Sequence, residues 1–209
     1  MALVVGASGS ATAEPVCSDT KTCLAAVEAA QQSTRSLSAR FEQTKHVSLM
    51  AEPIVTGGHF SFDRPPCAAE NAAAPACAAT VVWKMDDPAM TIRIGPQGVE
   101  LPPEVAREAG SGIKALTGAL EQVGALMSGS LAGVTRLFEV EAKPSGEGVA
   151  VHLVPRHASV RDLFTAIDMH FAAPHLVLQS IGIRESLGDR LEIVFRDIRR
   201  NGAGGEQPW

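Results

Sequence analysis

Tyrosine is absent from these 209 residues, and the aromatics are seven Phe and two Trp. Sugar and nucleobase binders generally stack their ligands on Tyr or Trp faces, so both classes are disfavoured. Positive charge is also short: 18 Lys and Arg against 23 Asp and Glu leave a net charge of −5 and a pI of about 5.7. With no basic stripe interleaved with aromatics, nucleic acid is not an expected partner. No stretch approaches the ~18 continuous apolar residues of a membrane span. Catalytic fingerprints are missing too. There is no P-loop and no dinucleotide motif. "GASGS" at 6–10 lies in an N-terminal leader rather than on the strand-to-helix turn that a nucleophile elbow requires. His152 and His157, like His170 and His175, are five apart, which on strands puts the partners on opposite faces. They read as solvated histidines rather than ligands. Asp86 and Asp87 read as turn carboxylates. No catalytic residue, metal or cofactor is expected.

What the chain does have is aliphatic bulk. Hydrophobic residues make up 45% of it, mostly Ala, Val, Leu and Ile, so any ligand surface would be aliphatic. Residues 1–13 are weakly apolar, and Ala11-Thr12-Ala13 fits a small-x-small cleavage site, although a basic segment before it is missing. They read as the remnant of a signal peptide whose start lies upstream, or as a disordered leader, ahead of a single domain over 14–209. Four cysteines fall in local pairs, Cys17 with Cys23 and Cys67 with Cys77. Neither spacing suits zinc. Local closure costs the least chain entropy, so two disulfides are expected, the second adding roughly 2–3 kcal/mol if unstrained; free buried thiols are the alternative. Disulfides and a signal peptide together point to export.

From Thr20 to Thr44 there is no Gly or Pro, and Leu24, Val27, Gln31, Thr34, Leu37 and Phe41 recur at helical spacing. The spacing predicts one amphipathic helix. Period-2 segments follow: Phe60 and Phe62; Val81, Trp83 and Met85; Met90, Ile92 and Ile94. Between Pro102 and Gly133, helical spacing returns among Gly110, Gly112, Gly118, Gly124, Gly129 and Gly133. Each of these weakens a helix by about 1 kcal/mol relative to Ala. This is either a buried helical insertion or a movable lid. Strand patterns then resume from Leu137 to Ile198, with "LGDR" at 187–190 as a hairpin turn. Evenly spaced strands predict an antiparallel sheet curled towards a barrel, with the few helices on its concave side. The fold class is α+β: an incomplete, strongly curved antiparallel half-barrel whose concave hydrophobic face the helices cover.

One strand, "FSFDRPP" at 60–66, ends on Arg64 before two prolines. A core strand gains nothing from a fixed cation there. The alternatives are an ordinary hairpin arginine, solvated or paired with Asp63 or Glu52, and a cation at the mouth of a cavity. The order of these motifs resembles the LolA family of periplasmic outer-membrane lipoprotein carriers. The match comprises Phe41-x-Gln43, Gly57-Gly58, a strand closing on Arg64-Pro65, the Trp83 strand, the Pro88 turn, "GPQG" at 95–98, and "GDRLEIVFRDIRRN" ending at Asn201. It spans roughly Leu24 to Asn201. The resemblance implies a helix-lidded half-barrel enclosing an acyl-chain cavity, with Arg64 holding the lid closed through helix carbonyls. Val81 stands where the family has a phenylalanine critical for transfer, and the Cys67–Cys77 segment is an insertion. The expected lining is Phe60, Phe62, Val81, Trp83, Met85, Ile92 and Ile94, which plain core packing would equally explain. The implied function is a monomeric, non-enzymatic carrier of acylated lipoproteins between an inner-membrane lipoprotein-releasing transporter and an outer-membrane acceptor. The alternatives are a carrier for a glycolipid or other free lipid, and a half-barrel module that binds a protein partner.

Overall fold

The computed structural model describes residues 16–66, 79–109 and 131–202. Among these residues, helix α1 (Thr20–Gln32) comes first. Five strands follow: β1 (Ser36–His46), β2 (Ile54–Asp63), β3 (Thr80–Met85), β4 (Met90–Gly95) and β5 (Gly98–Glu100). Two short helices, α2 (Pro103–Ala109) and α3 (Leu131–Leu137), lead to β6 (Phe138–Ser145) and β7 (Gly148–Pro155). A single turn, α4 (Ala158–Arg161), precedes β8 (Phe164–Ala172), β9 (Val177–Glu185) and β10 (Arg190–Arg200). The expected Cys67–Cys77 bridge and most of the glycine-rich insertion lie outside the described residues.

All ten strands form one antiparallel sheet in the order β5-β4-β3-β2-β1-β10-β9-β8-β7-β6. The sheet is not closed, so the fold is an α+β open half-barrel. Successive side chains alternate between an inner apolar face and an outer polar one. On β7, for example, Val149, Val151 and Leu153 are buried inside while Ala150 and His152 face out.

The long first helix is a correction. It stops at Gln32, and residues 36–46 are strand β1, paired with both β2 and β10. Leu37 and Phe41 are four apart, a spacing that one helical face and one strand face both satisfy. The strand reading also explains Ala39, which lies buried between them on the same face while Arg40 and Glu42 point outward.

Helix α1 begins with a capping box: the Thr22 backbone N–H donates to Asp19 Oδ1 at 2.9 Å, and the Asp19 N–H donates to Thr22 Oγ1 at 3.1 Å. The Cys17–Cys23 disulfide, as expected, ties the chain to the first turn. Cys23, Val27 and Gln31, at i, i+4 and i+8, form its buried stripe. The helix lies mainly on β6 and β7, with Thr20 Oγ1 donating to the Ala142 carbonyl at 3.1 Å and buried Gln31 Nε2 to that of Leu176 at 2.9 Å. Val149, Val151, Ile167, Met169 and Phe171 belong to the same buried cluster as Cys23 and Val27, none of them more than 2% exposed.

Candidate functional site

On the other half of the sheet, register lines the inner face in rows. Phe195, Phe41, Gly58, Met85 and Met90 stand opposite one another in turn across β10, β1, β2, β3 and β4. The next row is Ala39, Phe60, Trp83 and Ile92, and the next is Leu37, Phe62, Val81, Ile94 and Val99. All seven sequence-nominated lining residues therefore share one face. They differ in depth. Phe60, Phe62, Val81 and Ile94 are buried, whereas Trp83, Met85 and Ile92 are half-buried. The first group is floor, and the second forms the more accessible part of the face.

An aromatic cluster organises that surface. Trp83 packs edge-on against Phe41 and Phe60, with centroids at 5.3 and 4.8 Å, and tilted against Phe195 at 5.6 Å. Phe60 and Phe195 meet across β1 at 5.3 Å. Gly58 makes the cluster possible, because a methyl group there would strike the Lys84 carbonyl and the Phe41 ring, the latter 2.6 Å away at Cζ. Sequence alone points to neither Phe41 nor Phe195 as lining: helical spacing puts Phe41 on a helix, and nothing local distinguishes Phe195 from an ordinary strand residue.

Arg64 stands at the rim. The chain leaves β2 at Asp63, and the backbone N–H of Arg64 donates to the Arg35 carbonyl at 2.7 Å. Its guanidinium crosses to the C-terminal end of α1, where Nη1 donates to the carbonyls of Gln32 at 2.8 Å and Gln31 at 3.4 Å. It also lies over the Phe62 ring, 5.3 Å from the centroid. Burial pushes its pKa below the ordinary arginine value. Helix α1 has no basic residue in its own last turn, so the cation that its carbonyl end attracts comes from the sheet. Glu52 belongs to the β1–β2 loop, at the far end of β2.

The outer face is different in kind. His152 Nδ1 meets Asp168 Oδ1 at 2.6 Å, and Arg184 Nη2 donates to Asp168 Oδ2 at 3.0 Å. A groove of about 570 Å³ there is bordered by Asp168, His170, Arg184, Arg190 and Glu192. Among the described residues, no group of three or more His, Cys, Asp or Glu side chains could hold a metal ion, and no helix is long and apolar enough to cross a membrane.

No family model and no curated protein sequence matches the chain. Among solved structures it is similar to MucB in complex with MucA(peri), with a TM-score of 0.48 and 9% identity over 90% of this chain. The match spans 58% of that longer chain. It is also similar to a DUF1329 family protein from Desulfovibrio piger, with a TM-score of 0.41 and 7% identity over 90% of this chain and 95% of the other. A LolA superfamily protein from Nitrosomonas europaea gives 0.39 and 7%, over 89% and 95% respectively.

Proposed function

We propose that this protein is a periplasmic carrier that shields acyl chains against the inner face of its open sheet. The cargo is the lipid moiety of lipoproteins, taken from an inner-membrane releasing transporter and passed to an outer-membrane acceptor. The observation that carries the reading is Arg64: a partly buried guanidinium on helix carbonyls at the edge of a continuous apolar surface. Ordinary core packing accounts for the apolar surface but not for a desolvated cation at its margin.

The energetics call for such a wrapper. Exposing an acyl chain to water costs about 0.8 kcal/mol per CH₂, roughly 12 kcal/mol for a palmitoyl chain. Aliphatic and aromatic side chains offset this without directional contacts, which suits chains of varied length. Release requires that the wrapped state be only slightly preferred. A charge-assisted contact made in one state and lost in the other can set that balance.

Trp83 provides the test. In a Trp209→Phe background, a fatty-acyl probe should bind saturably and shift Trp83 emission to the blue, and Ile92→Asp should weaken binding at least tenfold. Absence of saturable binding, or indifference to Ile92→Asp, would remove the acyl site. Arg64→Leu should load normally but transfer cargo to acceptor vesicles at least tenfold more slowly; unchanged transfer would remove the gate. Native mass spectrometry of protein from the periplasm should show acylated peptide. Free lipid there would assign the cargo instead to a lipid export system, a reading favoured by Val81 at the family's phenylalanine position.

A further inference from the structure

The C-terminal end of α1 is held by a second arginine, which comes from β10, on the opposite side of β1 from β2. Arg200, the last residue of β10, donates from Nε to Thr34 Oγ1 at 2.8 Å. Its Nη2 donates to the Ala30 carbonyl at 3.1 Å and to Ser33 Oγ at 2.6 Å. Asn201 completes the grip: Nδ2 donates to the Ser33 carbonyl at 3.1 Å, and Oδ1 accepts from the backbone N–H groups of Arg35 and Ser36 at 2.7 and 3.3 Å. These acceptors differ from the Gln31 and Gln32 carbonyls that Arg64 uses.

The arrangement depends on a fault in the register of β10. Arg196 pairs with Arg40, and Arg199 with Ser38, so three steps along β10 answer two along β1. Asp197 takes up the extra residue with φ at +53°, a left-handed conformation that Asp tolerates better than most residues. Without this bulge, residue 200 would share the outward parity of Val194 and Arg196. With it, Ile198 and Arg200 turn inward, and Arg200 reaches the helix.

We propose that Arg200, with Asn201, is a positioning residue that anchors the end of α1 to β10 independently of Arg64. Arg64 can then leave the helix while the helix stays on the sheet. The moving part at the rim is one side chain, not α1. This deepens the carrier reading and rests on it for its functional consequence, although the anchoring itself does not.

The two arginines should therefore differ in size of effect on exchange and in sign of effect on release. Hydrogen exchange of the full-length protein, followed over residues 29–36, should quicken at least tenfold in Arg200→Leu and less than threefold in Arg64→Leu. Release of a bound fatty-acyl probe should quicken in Arg200→Leu and slow in Arg64→Leu. Arg200→Lys should restore little of the exchange protection, since an ammonium cannot span Thr34, Ser33 and Ala30 as the planar fork does. If Arg200→Leu fails to fold, Thr34→Val with Ser33→Ala removes two of its acceptors and should give the same, smaller quickening. Equal exchange in the two leucine variants, or wild-type exchange in Arg200→Leu, would overturn the anchor. Intact exchange effects in a protein that binds no probe would uphold the anchor and remove the carrier reading alone.

Discussion

Asp189 accepts a hydrogen bond from the Ser48 backbone N–H at 2.9 Å, which ties the β9–β10 turn to the β1–β2 loop. That bond holds its carboxyl below the ordinary value of 3.8. A carboxylate depressed in the folded state contributes stability above its unfolded pKa and loses it as pH falls through the folded value. Asp19, held down chiefly by the Thr22 backbone N–H at the start of α1, follows the same sign. The Tm difference between wild type and Asp189→Ala should thus be constant from pH 6 to 8 and shrink below about pH 4, which circular dichroism melts across pH would check. At this scale, sequence was informative only where position carried the signal. Arg64 stood out because a cation on a rigid turn had no core role. Arg200 did not, because in an unbroken strand its parity would send it to solvent, and nothing in "FRDIRRN" marks the bulge for a reader of alternation.

Strands rather than single residues explain the two adjacent glycines of β2. Gly58 lies under Phe41, and Gly57 faces the Phe41 carbonyl with room for a methyl group at 3.5 Å. Gly58→Ala should cost about 1–3 kcal/mol by overpacking and disturb the aromatic cluster, whereas Gly57→Ala should be nearly neutral. Urea denaturation of the pair measures the difference. The same strand logic explains what the sequence concealed. β2, β3 and β4 were readable because Phe60-x-Phe62 and Val81-x-Trp83-x-Met85 alternate without competition. β1 was hidden because it follows a true helix after a link of three residues, 33–35, and its larger apolar groups are spaced four apart. The break is marked by polar Ser33 and Thr34, whose hydroxyls donate to the Ala30 carbonyl as the last turn closes. Ser and Thr compete with the backbone in this way at helix ends.

For the molecule as a whole, the antiparallel class, the single sheet and the apolar inner face were legible, because one-sided burial imposes a period of two that survives without alignment. The division of labour across that face was not. Half of it is sealed by α1 on a close-packed core, and half presents Trp83, Met85 and Ile92 at partial exposure. Cutting the sealed half, as in Phe171→Ala, should cost about 3–5 kcal/mol. Ile92→Ala on the open half should cost markedly less while still altering probe binding, and paired denaturation and titration curves would separate the two. The unclosed sheet also has two ends, β5 and β6. Such ends are templates for polymerisation. β5 is three residues long, and β6 carries Glu139, Glu141, Lys143 and Pro144. Both margins are therefore poor templates, stacking into fibrils being opposed by brevity at one and, at the other, by charge, an imino acid and the Thr20 hydroxyl that occupies the Ala142 N–H and carbonyl.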